Sequence, residues 1–263
     1  MKKLLLASFV ASSLVLAAET DKANELVTHA EFGYVNTQGN TNTTALGLDA
    51  NAKKAFDKHI FELSFDGQYA TDSGVESKNK YTTELTYDYQ ITERFSFGYL
   101  AGFKQDKFSG YDYQLYTGPS VKYKVIKTEE HNLKVEANVL YAQDEISDIH
   151  YDASGNSILY PNPNNIATAS ITKGYTNNYT SLRAKGIYTW QILENLKFSQ
   201  ELSYRTEAKD TANYFVTSKT AITNKIAGIF SAGISYKVDY ANIPNDGNER
   251  ADKTFSANLI VDF

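Results

Sequence analysis

The chain has 263 residues, with 26 Lys and Arg against 31 Asp and Glu and no cysteine. This composition excludes a disulfide scaffold, a Cys-ligated zinc site, a thiol nucleophile and a lipid-modified cysteine anchor. The net charge of −5 argues against a nucleic-acid-binding protein, which needs a basic face.

Residues 1–18 read as a secretory signal peptide: Lys2 and Lys3 precede an apolar run from Leu4, and Ala17 and Ala18 each offer a small residue for cleavage. The run is about 15 residues, shorter than the ~20 of a membrane-spanning helix. Its removal takes two lysines and no acid, so the mature chain, residues 19–263, is more acidic still and reads as one domain.

From residue 26 onward apolar and polar residues alternate, the period of a strand rather than a helix. The pattern predicts twelve strands, over 26–37, 41–55, 59–71, 77–91, 95–107, 111–126, 131–143, 175–191, 195–207, 212–223, 227–241 and 252–263. Tight turns are expected at Phe56–His59, Ile91–Arg94, Lys127–Glu130, Ile192–Asn195 and Thr223–Ile226. They alternate with polar and mostly longer connections near 38–41, 71–77, 107–111, 143–175, 207–212 and 241–252. Gly39-Asn40 is a hairpin signal, and Pro161 and Pro163 mark the longest loop. Pro119 lies inside a strand without a free edge to hold it, which predicts a bulge or a broken ladder at Gly118-Pro119.

Most of these strands exceed the five or six residues usual in soluble sheets, and a tilted strand needs only about 9–11 to cross a bilayer. Short turns on one side and longer loops on the other are the outer-membrane pattern. Aromatic residues collect near strand ends: Phe56, Phe61, Phe95, Tyr123, Trp190 and Phe198 toward the turns, and Tyr34, Tyr69, Phe103, Tyr113, Tyr141, Tyr204, Tyr240 and Phe255 toward the loops. Two interfacial girdles would have this distribution. A soluble sandwich would leave sheet edges that closure removes. Used as a core, the charged face of its strands would cost several kcal/mol per charge. The predicted fold is all-β: a 12-stranded antiparallel up-and-down transmembrane β-barrel with short periplasmic turns, longer extracellular loops and both termini periplasmic.

On this reading the polar faces line a lumen. Strands 1–4 present an acidic arc of Glu31, Asp49, Glu62, Asp66, Glu84 and Asp88. Strands 5–10 present a basic arc of Lys104, Lys122, Lys124, Lys134, Arg183, Lys185, Lys197, Arg205 and Lys219. Lys53, Lys78, Lys80, Asp106, Glu136, Glu201 and Glu207 depart from this sorting. Opposed arcs would either orient polar solutes in a transverse field or pair into a network that fills the bore. The four histidines, His29, His59, His131 and His150, lack the i,i+2 or i,i+4 partners of a metal site, and no Ser–His constellation for an outer-membrane hydrolase stands out. No catalytic residue, metal or cofactor is expected.

Three stretches carry a family resemblance. Gly33-Tyr34-Val35-Asn36-Thr37-Gln38-Gly39-Asn40-Thr41-Asn42 resembles the opening of the YdiY-like family of salt-induced outer-membrane proteins. Gly118-Pro119 with Tyr123 resembles its mid-chain strand, and Leu259-Ile260-Val261-Asp262-Phe263 its terminal strand. The resemblance implies an outer-membrane barrel and no established biochemical role. Phe255, Leu259, Val261 and Phe263 also read as the signal for the barrel assembly machinery, by pairing of this strand with an exposed edge. The expected partners are outer-membrane lipid, that machinery and small polar solutes, with no nucleic acid. The expected function is a narrow channel for small polar or charged solutes. The alternatives are a non-conducting structural or stress-related envelope barrel, or surface binding and adhesion through loop 143–175.

Overall fold

The structure, a computed structural model, describes residues 26–37, 42–158, 166–244 and 249–262. The expected signal peptide, its cleavage point, Gly39-Asn40, Pro161, Pro163 and Phe263 lie outside the described residues. Among the described residues fifteen strands follow in chain order: β1 (Leu26–Thr37), β2 (Thr43–Phe56), β3 (His59–Asp72), β4 (Val75–Gln90), β5 (Phe95–Asp106), β6 (Tyr111–Lys127), β7 (His131–Ile146), β8 (Ile149–Tyr151), β9 (Ser157–Ile158), β10 (Ser170–Thr172), β11 (Thr176–Leu193), β12 (Leu196–Glu207), β13 (Tyr214–Ala227), β14 (Phe230–Ala241) and β15 (Ala251–Asp262). Twelve of them, β1–β7 and β11–β15, close into one antiparallel up-and-down barrel.

The alternation has the sense that lipid demands. Phe97, Tyr99, Val139, Tyr141, Leu182, Leu202, Ile222, Ile234 and Leu259 point outward with roughly half their surface exposed, and Phe255 is 64% exposed. The inward positions of the same strands carry Glu136, Asn138, Ser181, Arg183, Ser231 and Ser235, all buried. An apolar belt this continuous is not left to water. The shortest barrel strands have 12 residues; such a strand is about 40 Å long and, tilted about 40°, rises about 30 Å, enough to cover an apolar band of ~25 Å. The fold is therefore a transmembrane barrel, and the soluble sandwich is ruled out.

Outward rings form a band at each end. On the turn side His59 packs with Tyr87 and Tyr89, Phe61 with Phe56 and Tyr87, and His131 with Tyr188 and Trp190. On the loop side Phe65, Tyr81, Phe103 and Tyr113 contact one another across β3–β6, and Tyr204, Tyr214 and Tyr240 across β12–β14.

Three local expectations need correction, and a fourth resolves to one of its two forms. The fifth tight turn falls at Gly228-Ile229, not over Thr223–Ile226: β13 continues to Ala227, and Gly228 supplies the positive φ, +57°, that the reversal needs. The connection near 71–77 is no loop but a two-residue hairpin, with Ser73 and Gly74 at φ +50° and +82°. The long loop spans 147–175, because β7 runs to Ile146 and β11 starts at Thr176. It carries a small sheet of its own, ordered β10-β8-β9. Asp152 caps the reversal in that sheet, its Oδ1 accepting from the Ser154 and Asn156 N–H groups at 2.8 Å each. At Gly118-Pro119 the β5–β6 register is unbroken, with Tyr99 opposite Pro119. The β6–β7 ladder skips both residues without shifting register between Thr117 and Ser120, so the ladder is broken and there is no bulge.

Among the described residues the barrel seam is the shortest ladder of the barrel, His29–Gly33 against Asn258–Asp262. His29 Nδ1 meets Asp262 Oδ1 there at 2.6 Å.

Candidate functional site: the charged bore

Period-two alternation turns one side chain in two toward the axis, and in this sequence those are the charged ones. A cavity of about 430 Å³ runs along the axis, from His29 and Lys197 near the turn end to Arg205 and Asp239 near the loop end. A second cavity of about 310 Å³ forms a vestibule at the loop end, and Lys80, Lys104, Phe215, Thr217 and Asp239 line both.

The structure places Glu31, Asp49, Glu62, Asp66 and Glu84 on the wall of the main cavity, together with Lys104, Lys122, Lys134, Arg183, Lys185, Lys197, Arg205 and Lys219. Asp88 stands just behind the wall, buried against Lys122 at 2.7 Å. Lys124 shares the inward register of Lys122 nearer the turn end and lies outside the cavity lining. Phe255, Leu259 and Val261 occupy outward positions of β15.

The two groups of charges do not merely face each other across open space. Lys219 of β13 reaches Glu31 of β1 at 2.9 Å and Asp49 of β2 at 2.8 Å. Lys237 of β14 reaches Asp66 of β3 at 2.7 Å. Lys80 of β4 reaches Asp239 of β14 at 2.9 Å and Asp252 of β15 at 2.8 Å. None of these partners sits on a neighbouring strand, so each pair bridges the bore.

Arg183 makes the densest knot. Its Nη1 donates to Glu84 across the bore at 2.6 Å, its Nη2 to Glu136 at 2.8 Å and its Nε to Asn138 at 3.1 Å. Tyr116 adds a hydroxyl donor to the same Glu84 oxygen at 2.7 Å. The Tyr116 ring lies over Gly102, where a Cβ would overlap it, so glycine on β5 makes room for the ring.

Sequence reasoning missed two things. Lys237, Asp239 and Asp252 complete the cross-bore pairs, and their alternation with outward Tyr236, Val238 and Ala251 was the available signal. Leu100, Tyr116, Leu140, Ala142 and Tyr179 form a buried, mostly apolar patch inside the bore, on the wall made by β5, β6, β7 and β11. Alternation alone cannot flag a patch whose residues are apolar on both faces.

A closed barrel with an apolar exterior and a charged, water-accessible axis defines a transmembrane β-barrel of the outer-membrane type. A family model described as a protein of unknown function, DUF481, matches residues 30–263. The chain belongs to that family. The narrower YdiY-like name rests on the motif resemblance alone. No curated protein matches. Solved structures of similar overall form include the NanC porin, at 12% identity, 90% of this chain, 98% of that chain and a TM-score of 0.46. The KdgM porin follows at 11% identity, 90% and 99% coverage and a TM-score of 0.43. The COG4313 outer membrane channel from Pseudomonas putida F1 is 8% identical, with 95% and 98% coverage and a TM-score of 0.49. These likenesses are of barrel form only.

Proposed function

We propose that the mature chain is an outer-membrane channel for small polar or charged solutes, with the tight turns and both termini on the periplasmic side. One observation carries the reading. The axial cavity extends nearly end to end and meets the loop-side vestibule, with charged walls throughout. A barrel built only for structure gains nothing from a hydrated axis. The cross-bore pairs at Arg183, Lys219 and Lys237 are then the constriction, and they keep the bore narrow.

The wall of the main cavity carries ten basic heads and eight carboxylates, and the heads without an ion pair among the described residues, Lys104, Lys134, Lys197 and Arg205, make the lining locally positive within an acidic protein. That sign favours anions. Export by the segment 1–18 and insertion by the assembly machinery through Phe255, Leu259, Val261 and Phe263 complete the reading. Refolded mature protein in planar bilayers tests it: stepwise conductance with a reversal potential on the anion side is expected. A heat-modifiable barrel that stays electrically silent would refute it and favour the second reading, a structural envelope barrel stiffened by its bridged bore.

A further inference from the structure

Ion pairs take up nearly all the carboxylates of the main cavity wall and leave four of its cations without one among the described residues: Lys134 and Lys197 toward the turn end, and Lys104 and Arg205 at the loop end. Arg205, on β12, is only 9% exposed, yet it makes no ion pair among the described residues, and its buried Nη1 has no hydrogen-bond partner. Its guanidinium carbon lies over two rings, 5.2 Å from the centroid of Tyr116 and 4.6 Å from that of Phe215. Lys104 lines both cavities at their junction and likewise has no ion pair among the described residues. Tyr116 ties the two together, because its ring covers Gly102, the inward position next to Lys104 on β5.

None of the nearby acids forms an ion pair with either cation, and Asp144 keeps its buried Oδ1 without a partner. Asp239 and Asp252 hold Lys80 at 2.9 and 2.8 Å. Asp106 accepts from the Phe108 N–H at 3.1 Å, and Asp144 from the Tyr179 hydroxyl at 2.8 Å. A buried cation left without a counter-charge is costly, so its retention points to a ligand. We propose that Arg205 and Lys104 form a binding station for a small carboxylate anion, at the point where the vestibule opens into the bore. Two rings engage the π-faces of the guanidinium, which leaves its N–H edge for an acceptor. That edge matches the two oxygens of a carboxylate. Lys104 adds a point charge, and Phe215 offers an apolar surface for the carbon skeleton.

The inference deepens the channel reading and takes its physiological meaning from it, but binding is measurable whether or not the barrel conducts. Succinate titrated into the full mature barrel in detergent at constant ionic strength is the probe, with uncharged succinamide and inorganic phosphate as comparisons, followed by calorimetry. Wild type is expected to bind succinate and not succinamide, and phosphate more weakly. Arg205→Gln is expected to weaken succinate at least ~10-fold, the loss of one charge-assisted contact. Arg205→Lys, which keeps the charge but not the fork, is expected to recover only part of it.

Lys104→Gln removes no ring contact, and if Arg205→Gln does not fold it decides the matter alone, with an expected loss of at least ~3-fold. Unchanged succinate affinity in Lys104→Gln and in any folded Arg205→Gln barrel overturns the station. Equal binding of phosphate and succinate overturns it in favour of a diffuse positive field. A conducting barrel that binds no succinate retires the station and leaves the channel. A silent barrel that binds it retires the channel and leaves the station.

Discussion

Arg183 should be the most sensitive side chain of the bore. Arg183→Gln removes three hydrogen bonds at once, to Glu84, Glu136 and Asn138, and the arginine side chain is 6% exposed, as is that of Glu136. Leaving a buried charge without its partner costs about 3–5 kcal/mol. Two residual contacts moderate the loss: Glu84 keeps the Tyr116 hydroxyl at 2.7 Å, and Glu136 keeps Lys122 at 3.7 Å. Bore water solvates what remains, so the low end, about 3 kcal/mol, is expected.

The assay is urea unfolding in lipid vesicles, followed by tryptophan fluorescence of Trp190 and by the heat-modifiable gel shift. The double variant with Glu84→Gln should lose less than the sum of the two single losses, by at least about 1.5 kcal/mol, since the two residues touch. In bilayers the single variant should also conduct more than wild type, because one bridge across the bore is gone. A stability loss under about 1 kcal/mol with additive behaviour would refute the view that this knot holds the bore.

Other outcomes follow from the same geometry. Leu202→Arg, at an outward position 52% exposed on β12, should cost about 2–4 kcal/mol in lipid; wild-type stability in vesicles would mean that this face does not meet lipid. Gly118→Ala should block assembly, since a Cβ there would run into the Val139 carbonyl oxygen and crowd the Leu140 backbone of β7; a normal yield of heat-modifiable barrel would contradict that close approach. The seam should exchange its amide hydrogens before the β6–β7 ladder does, because among the described residues five residue pairs join β1 to β15; uniform protection around the barrel would argue otherwise.

The long loop makes a pH prediction. Hydrogen bonds from Lys173 Nζ at 2.6 Å and from the Gly174 N–H at 2.9 Å hold the Asp148 carboxyl below the usual carboxylate range. A lowered folded-state pKa contributes stability that is present above the ordinary value of ~3.9 and is lost as pH falls through the folded one. Pepsin should therefore cut within 147–175 faster at about pH 2 than at about pH 5, by more than its own activity changes, and Asp148→Asn should reduce the difference, the remainder belonging to Asp152, whose carboxyl its own hydrogen bonds also hold low. Equal relative cleavage in both forms would disprove the link.

Much of the fold was legible in order of residues alone. Strand alternation such as Phe255, Ala257, Leu259 and Val261 depends only on which side chains share a face, so the existence and number of the barrel strands and the side meeting lipid follow from it. Turn positions were less secure. At Ser73-Gly74 and Gly228 the reversal depends on one or two residues with left-handed backbone, and polar neighbours blur where they sit. The sheet within 147–175 was illegible because its strands are two or three residues long, too short to show a period.

The charges divide in the same way. That Glu31, Glu84, Arg183 and Lys219 face inward is a local fact of pleat and register, available from spacing. That Arg183 meets Glu84, or Lys219 meets Asp49, while Arg205 and Lys104 meet no acid, depends on which strands closure brings opposite one another and at what height. Closure places residues 99 positions apart within 2.6 Å. Sequence period determines the face of each side chain, but the curvature and stagger of the closed sheet decide its partner across the bore.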